Sequence, residues 1–257
     1  MIMRNLVLTA ASAVCALCAI TSCNESLSTR TVESNGKFAL AEGAADSLDI
    51  DIQVEYPETG LKGEALENFR KGLTANLFGE EYAEMDASGA LEAYKNDRVS
   101  EYREANLPLL EESDGMSHSV LSWSDYTYGK ISGSHEGIIS YTMTKYSYTG
   151  GAHGMTSVTS LNFDTRTGSL LSEADFFKEG YRSVLSDLLS RHLPGSLESP
   201  EDTSMLFVRE IEPNGNFRVS EEGVTYIYNQ YEIAPYVMGA IQVTVPWNEL
   251  EGIYIKK

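Results

Sequence analysis

The sequence predicts an α+β protein: mainly antiparallel sheets with a few packed helices, arranged as two closely associated subdomains. Three observations carry this reading. Several segments alternate apolar and polar residues and are separated by turn residues, the pattern of half-buried strands. Stretches within 63–106 and at 181–192 repeat apolar residues at helical spacing instead. The order of segments, β-α-α, then β-β-β, α and β-β-β, groups strands in runs, which favours antiparallel pairing. The chain has 257 residues, enough for one or two domains, and is 42% hydrophobic with 15 Tyr and 8 Phe, enough for a substantial core.

Residues 1–22 read as a secretory signal peptide. Arg4 precedes the short apolar run Leu6–Ile20, which has 15 residues and is too short to span a bilayer comfortably. Ile20-Thr21-Ser22-Cys23 follows, an aliphatic residue and two small ones before cysteine. Residues 23–45 are polar and small and read as a flexible tether. An N-terminal α+β domain is expected over 46–150 and a C-terminal one over 151–257. The polar run Glu111–Gly115 offers a further break.

Within the first domain, Leu48, Ile50, Ile52, Val54 and Tyr56 share one face of a strand over 47–56. Leu66, Phe69, Leu73 and Leu77 mark a helix over 63–78. Ser88 can cap a second helix that ends near Asn106, before Pro108. Strands over 119–129, 137–148 and 157–163 are rich in aromatic and β-branched residues, and the first is expected to stop at a turn spanning Gly129–Gly137. Further on, Ser172–Asp175 starts a short helix, 181–192 forms a clearer one, and Pro194-Gly195 stops it. Ser220–Gly223 joins two strands of a hairpin, and 240–245 is the last strand.

Charge and cysteine usage exclude some chemistries. With 38 acidic and 19 basic residues the net charge is −19, which argues against nucleic-acid binding. Removal of residues 1–22 takes away Arg4 and leaves −20. All three cysteines lie at 15, 18 and 23, so the remainder can form no internal disulfide and supplies no cysteine nucleophile. G-x-S-x-G, P-loop and H-E-x-x-H patterns are missing. His118, His135, His153 and His192 have no two members at zinc-pair spacing, so a metal would need ligands from distant elements. No catalytic residue, metal or cofactor is assigned.

Two segments stand out. Gly150-Gly151-Ala152-His153-Gly154 places a histidine among three glycines, after Tyr148 and before Asn162 and Asp164. His153 can serve as ligand donor or acid–base group. The competing reading is a tight turn whose histidine bonds to neighbouring backbone. Asn229-Gln230-Tyr231-Glu232-Ile233-Ala234-Pro235-Tyr236 offers, in Tyr231 and Tyr236, aromatic faces with polar tips, suited to sugar or protein contacts, or else tyrosines packed on the sheet. Glu232 paired with Asp164 or Asp175 would be the two carboxylates of a glycosidase.

Taken together, Tyr148–Gly154, Asn162-Phe163-Asp164 with Thr167-Gly168, and Tyr231–Tyr236 with Gly239 resemble one family. It is the paired domains of unknown function in the extracellular part of the anti-sigma factor RsiV and in the peptidoglycan deacetylase PdaC. The N-terminal domain would span about 45–150 and the C-terminal one about 155–250. The resemblance implies a module that faces the envelope and binds a ligand, as RsiV binds lysozyme. RsiV's sigma-binding segment and PdaC's catalytic domain have no counterpart here, so neither activity carries over. The Cys23 segment resembles a bacterial lipobox, which implies lipidation at Cys23.

The expected protein is exported and lipid-anchored to a bacterial envelope membrane. It binds a cationic protein such as lysozyme, or a cell-wall glycan, without catalysis. Its ligand-binding candidates are Tyr148, His153, Asn162, Asp164, Tyr231, Glu232 and Tyr236. The alternative is a glycan-acting hydrolase or deacetylase-like enzyme that uses His153 with acidic residues.

Overall fold

A computed structural model describes residues 27–112 and 121–255. The signal peptide, Cys23, His118 and most of the polar break at 111–115 lie outside the described residues. The first sheet contains β1 (Ser28–Ala39), β2 (Ser47–Thr59), β3 (Trp123–His135), β4 (Ile138–Tyr148), β5 (Met155–Asp164) and β6 (Leu170–Leu171), in that spatial order. Helices α1 (Glu64–Phe78) and α2 (Ala87–Glu112) lie between β2 and β3 in sequence. The second sheet orders β7 (Phe217–Val219), β8 (Gly223–Tyr228) and β9 (Ile241–Pro246), packed with α3 (Glu173–Phe176), α4 (Tyr181–His192) and α5 (Trp247–Leu250). Every strand pair is antiparallel except β2 with β3, which the α1–α2 crossover makes parallel.

The first core lies between the inner sheet face and the two helices. Leu48, Ile50, Ile52 and Val54 meet Phe69, Leu73 and Leu77, all essentially inaccessible to water. Each such side chain contributes roughly 1.5–3 kcal/mol by burial. The second core joins Leu185 and Leu189 of α4 to Phe217, Val224, Val243 and Val245.

Several expectations are corrected. The tether ends early, because residues 28–39 pair with β2 along their whole length. Helix α2 starts at Ala87, and its cap is Asp86, whose Oδ1 accepts from the Ser88 and Gly89 N–H groups at 3.0 and 3.1 Å. It also runs past Pro108 to Glu112. Strand β3 continues to His135, and the turn is only Glu136-Gly137, at φ 43° and 79°, values that a tight two-residue hairpin requires. The sheet does not break at residue 150, since β4 and β5 pair over ten positions.

The two units join along β5. Only Asn162 and Phe163 of β5 pair with β6. The rest of that edge is covered by side-chain amides that take the place of a neighbouring strand. The Thr156, Val158 and Ser160 N–H groups donate to Gln230 Oε1, Asn229 Oδ1 and Asn216 Oδ1 at 3.1, 2.7 and 2.9 Å. The Asn216 and Asn229 amides donate back to the Val158 carbonyl. This protects an edge that would otherwise template aggregation.

Ten of the fifteen tyrosines have phenol pKa values above normal. A hydrogen bond to Asp97 pushes Tyr82 up to about 12. One to Asp51 does the same for Tyr128, and burial does so for Tyr102. Unfolded phenols titrate near 10. The stabilisation is therefore complete below pH 10 and is lost as pH rises toward 12. A spectrophotometric titration should show most phenols ionising late, together with unfolding. Ionisation of all fifteen near pH 10 in the folded protein would contradict this.

Candidate functional site

The Gly-rich loop after β4 sits where the two units meet. Gly150 and Gly151 have φ values of 95° and 101°, which other residues rarely adopt. Gly154 is required for a different reason: a Cβ there would lie 2.4 Å from the Tyr146 ring. The Tyr148 hydroxyl donates to the Gly151 carbonyl at 3.0 Å and closes the loop on itself. His153 Nδ1 donates to the Gly154 carbonyl at 3.1 Å, and the Tyr236 hydroxyl donates to that same oxygen at 2.9 Å. The histidine thus bonds neighbouring backbone, as the turn reading expects.

These contacts bring three of the candidates together. The His153 and Tyr236 rings are 4.2 Å apart, and those of Tyr236 and Tyr231 are 5.9 Å apart. Tyr231 is half exposed and held at φ 69° by a tight turn in which its N–H bonds the Ala234 carbonyl at 3.1 Å. A left-handed tyrosine costs about 1–2 kcal/mol, and strain of this kind gathers at ligand surfaces. Beneath the loop the aromatic strip continues onto the outer sheet face. Tyr146 stacks on Tyr126 at 5.5 Å, and the next tyrosine on β3, Tyr128, is exposed. The Tyr126 and Tyr128 hydroxyls donate to Asp49 and Asp51 at 3.3 and 2.6 Å.

Beside Tyr236 the surface is apolar. Val237 is 78% exposed and Phe207 57% exposed. The Phe207 N–H bonds the Ile233 carbonyl at 2.9 Å, which ties the two loops together. Met205, Val237 and Met238 line a cleft of about 430 Å³, together with Glu198 and Asp202. Phe207 and Val237 escaped sequence reasoning, because exposure of an apolar side chain has no signature in a short irregular segment, and the edge-covering role of Asn229 and Gln230 was not foreseen.

The remaining candidates are engaged in local structure. Asn162 is buried between the units, where its Oδ1 accepts from Ser140 Oγ at 2.6 Å and its Nδ2 donates to the Phe217 carbonyl at 2.8 Å. Asp164 is buried at the end of β5 and accepts from the Arg166 backbone and guanidinium of the following turn. Glu232 accepts from Asn214 Nδ2 at 2.9 Å. Asp175 completes the capping box of α3 with Ser172. The three carboxylates considered for a glycosidase pair are thus each engaged in separate local structure. Among the described residues no group of three or more His, Cys, Asp or Glu is placed to hold a metal. Nor does any described helix have the length and apolarity to cross a membrane.

Comparison with known proteins agrees with this architecture. The family model of the deacetylase PdaC matches residues 45–156, and that of DUF3298, a protein of unknown function, matches residues 174–248. A solved DUF3298-family structure from Bacteroides fragilis is 25% identical, with a TM-score of 0.80, covering 89% of this chain and 94% of that one. A second, from Pseudomonas aeruginosa, is 18% identical, with a TM-score of 0.65, covering 90% and 95%. No curated protein matches the chain. The matches fit a protein associated with the cell envelope. The chain therefore joins a region similar to the PdaC domain to one similar to DUF3298, on the α+β fold of solved DUF3298-family proteins.

Proposed function

We propose that this chain is an exported, lipid-anchored envelope protein that captures a cationic protein without catalysis. Lysozyme is the candidate ligand, on the strength of the resemblance to RsiV. The observation that carries the proposal is the exposed surface of His153, Tyr236, Tyr231, Val237 and Phe207, with Glu198 and Asp202 lining the cleft that Val237 shares. Tyrosines and apolar anchors are the groups that carry binding energy at protein interfaces. Such carboxylates, in a chain of net charge −19, speed the approach of a cationic partner and select for it. The Tyr126–Tyr146 stack beside Asp49 and Asp51 favours a glycan instead, since flat rings and acceptors suit sugar faces and hydroxyls.

Titration of the chain from residue 24 onward with lysozyme checks this. Binding should weaken from low salt to about 0.15 M, as these charges become screened. Tyr236→Ala with Val237→Asp should weaken it by about 30-fold or more, equivalent to a hot-spot loss of about 2 kcal/mol. Absence of binding at low salt, or binding indifferent to these changes, would overturn the proposal, and tight binding of peptidoglycan fragments alone would favour the glycan. Lipid attachment is tested separately: Cys23→Ala should move the protein from the membrane to the soluble fraction.

A further inference from the structure

We propose that a second site, a cleft between the start of β1, the end of β2 and α1, binds a small carboxylate with a short apolar substituent, the chemistry of a peptide C-terminus. It is built from different residues from the aromatic surface and does not depend on the lysozyme reading. The cleft has a volume of about 540 Å³, within the usual range for small-molecule sites. It gathers Arg30, Arg70 and Lys71 in a protein with twice as many acidic as basic side chains.

The three cations are not equivalent. Lys71 is paired with Glu84. Arg70 is oriented by backbone: its Nε donates to the Pro57 carbonyl at 2.9 Å and its Nη2 to the Glu58 carbonyl at 2.8 Å. Among the described residues its Nη1 has no hydrogen-bond partner. Arg30 is exposed at the start of β1, and among the described residues its guanidinium makes no side-chain hydrogen bond or ion pair. Both guanidiniums line the same cleft as Tyr56, one fixed by backbone carbonyls and one free to close. A carboxylate placed between them would receive charge-assisted bonds from two sides.

Two of the cleft's own carboxylates do not compete for these guanidiniums. Glu84 is held by Lys71, and Asp86 caps α2. Glu67, exposed on α1, is left as an acceptor for a ligand N–H. Ala83, Met85 and Ala87 form the apolar wall. They leave room for a methyl-sized substituent, whereas a bare phosphate would not use them.

Nuclear magnetic resonance titration of the chain from residue 24 onward tests the site, with acetyl-alanyl-alanine, its C-terminal amide and inorganic phosphate as probes. The free acid should shift resonances around Arg30, Arg70 and Ala83–Ala87, and the amide should bind at least tenfold more weakly. Arg30→Gln, a surface change that should leave the melting temperature unaltered, should weaken the acid at least tenfold. Tyr231→Ala should leave this binding intact even where lysozyme binding is lost, so failure of either proposal is visible without the other. Equal binding of acid and amide, indifference to Arg30→Gln, or phosphate binding as tightly as the acid would overturn the assignment.

Discussion

Replacing Gly168 by alanine should destabilise the protein by about 3–4 kcal/mol, the sum of overpacking and left-handed backbone costs. Gly168 follows β5 at φ 70°, and a Cβ there would lie 1.9 Å from the Ala65 carbonyl oxygen and 2.8 Å from the Phe69 nitrogen. Both are backbone atoms of α1, so no rotamer change relieves the clash. The helix is poorly able to retreat, since Phe69 packs on Phe163 with ring centroids 4.2 Å apart and Asn68 Nδ2 donates to the Thr167 carbonyl at 2.8 Å. The turn is equally fixed, with its Gly168 N–H bonded to the Asp164 carbonyl at 2.7 Å. In a thermal melt the variant should lose roughly 10 °C. Gly151→Ala is the control. It shares the positive φ but would meet nothing within 4 Å, so only the backbone cost of about 1–2 kcal/mol applies. A Gly168 variant no less stable than the Gly151 variant would contradict the packing described.

Loss of the Asp125 carboxylate should cost about 3 kcal/mol or more, as expected when one member of a buried pair is removed. Asp125 is buried on the inner face of β3 and accepts from Arg98 Nε at 2.7 Å and from the Tyr94 hydroxyl at 2.9 Å. Burial, then the nearby Asp125 charge, drives the Tyr94 phenol well above its normal pKa. Asp125→Ala would leave a largely buried guanidinium beside the Trp123 ring and strand a phenol. Asp125→Asn should cost less, because an amide oxygen still accepts. The double variant Arg98→Met/Asp125→Leu should recover most of the loss, since an apolar pair of similar volume avoids the uncompensated charge. Urea unfolding of the four proteins checks this ordering.

How far the fold could be read from the sequence depended on where each element gets its stability. Strand β2 was legible because its apolar face alternates without exception from Leu48 to Tyr56, and α4 because its apolar stripe repeats cleanly. Strand β1 was not. Its inner face offers Val32 and Phe38 but also Ser34 and Gly36, so it exists through pairing with β2 and cover from α2. Parallel pairing of β2 with β3 is likewise a tertiary choice, made across two helices. For the candidate site, glycine clustering and the Tyr231–Tyr236 segment singled out two loops that meet through the Gly154 carbonyl. The same patterns also drew in Asn162 and Asp164, whose polar atoms serve the junction and a turn. Tyr126 and Tyr146 looked like ordinary strand residues, because only the β3–β4 register puts their rings together.

Whether the aromatic surface is where the ligand sits is decided by amide hydrogen exchange, measured on the chain from residue 24 onward with and without lysozyme. Slowed exchange should be confined to the 150–155 loop, the 205–208 segment and the 229–238 loop, with α1 and α2 unchanged. Slowing centred on the helices, or no slowing at a lysozyme concentration that saturates binding, would contradict the surface assigned here.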